Sequence, residues 1–88
     1  MKLIIAIIRD ELSDPILECL IESDFRVTRI ASTGGFLRRG MTTLMIGVDN
    51  DRVDQAIQLI GETCDPITNQ NSHNVTLFVL KVDQFLQV

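Results

Sequence analysis

The sequence predicts an α+β domain, a four-stranded antiparallel sheet carrying two helices on one face. Three observations predict it. Four segments are apolar and β-branched or alternate in character. Two others carry apolar residues at helical spacing. The helical stretches follow the first and third strands, so the order is β-α-β-β-α-β, the ferredoxin-like split βαβ arrangement.

Each element has its own signal. Lys2–Ile8 is apolar and β-branched, a strand. Asp14-Pro15 predicts a helix start, with Asp14 as N-cap and Pro15 in the first helical position. Ile16, Leu17, Leu20 and Ile21 supply the stripe of that helix through about Asp24. Arg26–Ser32 alternates polar with apolar, a half-covered strand, and Thr33–Met41 is a glycine-rich loop. Thr42–Val48 is the third strand. Asp49-Asn50-Asp51 places capping and acidic side chains at the start of a second helix, whose stripe is Val53, Ala56, Ile57 and Ile60. Residues 65–73 form a polar loop, Asn74–Val82 the fourth strand, and Asp83–Val88 a short tail.

The strands also predict assembly. In the fourth, Val75, Leu77 and Val79 point one way and Phe78, Leu80 and Val82 the other; in the first, Leu3, Ile5 and Ile7 oppose Ile4, Ala6 and Ile8. Two helices cover one face only. The other face would form an apolar patch larger than monomers usually expose, and the simplest cover is another copy in a closed symmetric assembly.

Composition narrows the function. Eighty-eight residues, 45% of them apolar, suit one small domain with an ample core. Cys19 and Cys64 are isolated, as expected of buried thiols in a reducing cytosol. The apolar run Leu3–Ile8 is too short for a signal peptide or a membrane span. A net charge of −4, without tryptophan or tyrosine, argues against general binding to nucleic acid or acidic membranes. His73 is the only histidine and has no partner at an activating spacing. There is no metal-ligand spacing, and Ser32-Thr33-Gly34-Gly35 lacks the ending of a Walker loop. Asp49, Asp51 and Asp54 are explained by helix capping. The chain reads as a binder, with no catalytic residues and no metal site.

The binding signal lies in residues 26–47. They hold four of the eight basic residues (Arg26, Arg29, Arg38, Arg39), none of the twelve acidic ones, and four of the five glycines. Arg26 and Arg29 are three apart on a strand and face opposite sides; Thr28 shares the face of Arg26. A guanidinium and a hydroxyl suit phosphate oxygens, and Gly34 and Gly35 permit close approach. Phe36 and Leu37 then offer an apolar shelf for a purine. A solvated hairpin tip, with Phe36 in the core, accounts for the same residues equally simply.

These motifs resemble the PII-like cyclic di-AMP receptors of Gram-positive bacteria. The similarity rests on Met-Lys-Leu-Ile-Ile-Ala-Ile at the start, Phe25-Arg26-Val27-Thr28, Ser32-Thr33-Gly34-Gly35-Phe36-Leu37, Gly40-Met41-Thr42-Thr43, Gly47-Val48 and Asp51-Arg52-Val53-Asp54. Phe78-Val79-Leu80 and Val82-Asp83-Gln84-Phe85 also fit. The resemblance implies a single PII-like domain over residues 1–88 and a cytoplasmic, non-enzymatic homotrimer. It also implies clefts between subunits that bind cyclic di-AMP, and a downstream protein that responds to occupancy. Carried over by position, Arg26 and Thr28 would meet the ligand from the second strand. Gly35, Phe36 and Leu37 would hold it, and Gly47 would leave it room. Phe78 would add apolar surface, and Gln87 would hydrogen-bond an adenine edge.

Two departures qualify that expectation. Met41 stands where the family has asparagine, and a thioether cannot donate a hydrogen bond. Such a loss costs about 1–3 kcal/mol, roughly ten- to a hundredfold in affinity. The family also has a long loop before the last strand, where this chain has only Asp65–His73. The rival expectations are a PII-like trimer with altered or vestigial nucleotide specificity acting as an interaction scaffold, and a small enzyme on the same fold.

Overall fold

The structure, a computed structural model, describes residues 1–30, 40–64 and 75–88, the side chain of Cys64 excepted. The elements are β1 (Lys2–Arg9), α1 (Asp10–Glu22), β2 (Arg26–Ile30), β3 (Met41–Val48), a 3-10 turn (Asn50–Arg52), α2 (Val53–Cys64) and β4 (Val75–Lys81). The strands form one sheet in the order β2-β3-β1-β4, and every neighbouring pair is antiparallel. It follows that β1 runs parallel to β2 with β3 between them, and β3 parallel to β4 with β1 between them. This is the ferredoxin-like arrangement that the element order predicted.

Strand parity builds the core. Ile4, Ala6 and Ile8 of β1 and Leu44, Ile46 and Val48 of β3 are buried on one face. They pack with Leu12, Ile16 and Leu20 of α1 and with Ala56 and Ile60 of α2. Among the described residues no helix covers the opposite face. Cross-strand register arranges it in rows: Arg26–Gly47–Leu3–Leu80, Thr28–Met45–Ile5–Phe78 and Ile30–Thr43–Ile7–Thr76. Among the described residues of this face Phe78 is 50% exposed, Leu80 45% and Ile30 41%, whereas Thr43 is buried. Val79, on the helix side, is 42% exposed as well, because β4 is an edge strand that the helices cover incompletely.

Several boundaries differ from expectation. Helix α1 starts at Asp10, not Asp14, and Pro15 lies inside it. Arg9 is the N-cap residue and makes no side-chain cap bond. The first N–H is satisfied from across the fold instead: Asp10 N–H donates to the Gly40 carbonyl at 2.8 Å. The Thr42 hydroxyl donates to the Asp10 carboxylate. Burial of Leu12, one turn before Ile16, draws the helix upstream against the missing N–H of Pro15. Ile21, expected in the stripe, is 55% exposed. The second helix is preceded by a 3-10 turn rather than capped by an aspartate side chain. Cys19 is a free thiol, half-buried rather than buried.

The C-terminus of α1 matters most for the site. Asp24 adopts φ 65°, its N–H donates to Ile21 O at 3.0 Å, and Phe25 N–H donates to Leu20 O at 3.0 Å. That pair of bonds is a Schellman ending, with aspartate in the left-handed position usually given to glycine. It turns the chain directly into β2.

Candidate ligand-binding site

A cavity of about 690 Å³ opens where β2 begins, β3 ends and the C-terminal tail returns. That volume is within the range of small-molecule clefts, roughly 300–1,000 Å³. Arg26, Thr28, Gly47 and Gln87, all expected as ligand contacts, line it together. Register explains the first three: Arg26 opposes Gly47 and Thr28 opposes Met45, all on the open face. Glycine leaves the floor beside Arg26 flat, since a Cβ built at Gly47 meets nothing within 4 Å. Gln87 arrives by another route. Val82 N–H donates to the Met1 carbonyl at 3.1 Å, which lays the tail along β1's start, and Phe85 and Gln87 then reach the cavity.

The two arginines of β2 divide as parity requires. Arg29 turns to the helix face, where its Nη1 donates to Asp14 Oδ1 at 2.5 Å and to Ser13 Oγ at 3.2 Å. Arg26 turns to the open face and makes no ion pair among the described residues. Among the described residues no carboxylate occupies its guanidinium. Among the described lining residues of the cavity, acids offset part of the basic charge. Asp24 and Asp49 also line it, against Arg26 and Arg52. Arg52 is engaged by protein groups: Nη2 donates to Ser23 O at 2.8 Å, and its Cζ sits 4.0 Å from the Phe25 ring centroid. Among the described lining residues, Arg26 is the arginine left to attract an anion.

Other expected residues stand elsewhere. Met41 begins β3 opposite Arg9, six residues from Gly47 and about 20 Å along the strand. Phe78 lies on the open face two strands from β3, opposite Ile5, and does not line the cavity. Gly35, Phe36 and Leu37 lie outside the described residues, as do Arg38, Arg39 and His73. The lining residues that sequence reasoning missed are chiefly Asp24, Met45, Asp49, Arg52 and Phe85. Met45 carried a signal, since it shares the strand parity of Gly47. The others are brought in by the turn after α1, the turn before α2 and the tail, which no local pattern joins. Among the described residues, no group of three or more His, Cys, Asp or Glu could hold a metal ion, and no helix is long and apolar enough to cross a membrane.

Two comparisons bear on this geometry. The solved structure of a functionally unknown protein from Pediococcus pentosaceus ATCC 25745 matches with a TM-score of 0.77 at 33% identity, over 99% of this chain and 96% of that one. A family model described as cyclic-di-AMP receptor matches residues 1–74, a span that includes Arg26, Thr28 and Gly47 and ends before β4 and the tail. The chain belongs to the cyclic-di-AMP receptor family.

Proposed function

We propose that this chain is a non-enzymatic signal-transduction protein of the cytoplasm. In this reading three copies assemble, bind cyclic di-AMP in the clefts between them, and pass occupancy to a downstream protein. The observation that carries the reading is the convergence of Arg26, Thr28, Gly47 and Gln87 on one cavity, in a chain of the receptor family. A guanidinium and a hydroxyl suit a phosphodiester, and a carboxamide presents the donor and acceptor that an adenine edge needs. The division of the expected contacts favours a shared cleft. Arg26, Thr28, Gly47 and Gln87 stand at one end of the sheet and Met41 about 20 Å away, so one ligand reaches both sets only across a subunit boundary. The uncovered face bearing Ile5, Phe78 and Leu80 supplies the apolar surface that such a boundary buries.

Isothermal titration of the full chain with cyclic di-AMP and cyclic di-GMP, with light scattering on the same samples, tests this. The expected result is heat with cyclic di-AMP and a mass three times the 9.9 kDa protomer. No heat with either nucleotide, or a monomer at every ligand concentration, refutes it. Met41 favours a second reading, a trimer whose specificity has drifted. Under that reading Met41→Asn raises affinity for cyclic di-AMP about tenfold or more. Unchanged affinity removes Met41 from the cleft.

A further inference from the structure

Arg52 lines the same cavity as Arg26 and is half-buried, yet its polar contacts are to protein. Nη2 donates to the Ser23 carbonyl at 2.8 Å, Nε donates to Gln55 Oε1 at 3.3 Å, and Cζ lies over the Phe25 ring, 4.0 Å from its centroid. Ser23 and Phe25 are the two neighbours of Asp24, the residue at φ 65° that turns α1 into β2. Arg26 follows immediately. Arg52 therefore grips this turn on both sides from the end of the 3-10 turn that precedes α2. A non-glycine residue in the left-handed region persists only where its surroundings hold it there.

We propose that Arg52 is a positioning residue: by holding the Ser23–Phe25 turn it presents the Arg26 guanidinium to the cavity. The proposal rests on the reading of that cavity as a site for an anionic nucleotide. The chemistry calls for arginine. One group sits over an aromatic ring while its separate N–H groups donate to a carbonyl and to an amide oxygen, a combination that a lysine ammonium does not reproduce.

The test uses the full chain and the variants Arg52→Lys and Arg52→Gln. Each is titrated with cyclic di-AMP, melted without ligand, and followed by amide hydrogen exchange. Both variants are expected to bind about tenfold more weakly or worse. Exchange at the Asp24 and Phe25 amides should quicken about tenfold through local opening, while the Ile4 and Ile46 amides in the core strands keep their protection. Wild-type affinity in Arg52→Lys overturns the proposal, because charge alone then suffices. Wild-type affinity in both variants with lower melting temperatures overturns it too, leaving Arg52 a purely structural residue. Weakened binding without faster exchange at Asp24 and Phe25 also overturns it, since Arg52 then touches the ligand directly. If the unsubstituted chain binds no nucleotide, the reading of the cavity fails on its own account. The exchange data then decide the hold on the turn: faster exchange supports it, and unchanged protection overturns it.

Discussion

Replacing Gly47 by alanine separates folding from binding. Gly47 sits within β3 between Arg26 of β2 and Leu3 of β1, on the open face. Its backbone is not in the positive-φ region, and an added Cβ meets nothing within 4 Å. The alanine is therefore accommodated, and the restricted unfolded chain gains the folded state about 0.4–1 kcal/mol. For a domain of this size that raises the melting temperature by roughly 2–8 °C. The same methyl projects from the cavity floor beside Arg26. A ligand pressed against that floor must shift, and crowding a filled site costs about 1–3 kcal/mol, roughly five- to 150-fold in affinity. Differential scanning calorimetry without ligand and isothermal titration with cyclic di-AMP read the two effects separately. A variant that melts higher and binds at wild-type affinity refutes the close approach at Gly47. A variant that melts lower refutes the open space above it.

The two arginines of β2 should behave oppositely. Arg26→Ala should weaken cyclic di-AMP binding about tenfold or more and flatten its salt dependence, because charge-assisted contacts are lost. Arg29→Ala should leave titrated affinity within about twofold and cost at most about 1 kcal/mol in urea denaturation, since its pair with Asp14 is solvent-exposed on both sides. Phe78→Glu places a charge on a side chain already 50% exposed, so light scattering should show dissociated protomers that remain folded by circular dichroism. Unchanged assembly removes this face from the subunit boundary. Leu44→Ala empties a fully buried position in the central core and should cost about 2–5 kcal/mol by denaturant titration.

The strands were legible because their chemistry is local. Alternation and β-branching in Lys2–Arg9 and Met41–Val48 suffice, and the parity of Arg26, Thr28 and Arg29 assigned each side chain to the correct face. The start of α1 was not legible for a physical reason. Asp14-Pro15 is a sound local start signal. At the actual N-terminus the Gly40 carbonyl accepts the Asp10 N–H and the Thr42 hydroxyl donates to the Asp10 carboxylate, both some thirty residues away, and the burial of Leu12 stabilises the turn. The site shows the same division. Arg26, Thr28 and Gly47 follow from strand pairing. Asp24, Asp49 and Arg52 enter because two turns meet, and that meeting exists only once the helices have packed.

The bond from Val82 N–H to the Met1 carbonyl brings the two ends of the described chain together at the cavity, and Met1 and Gln87 both line it. A bulky label attached at Met1 or Gln87 would overhang the mouth and crowd whatever enters. A fluorophore meant to report on assembly, and not on occupancy, belongs instead on the outer surface of α1, where Glu18 faces solvent.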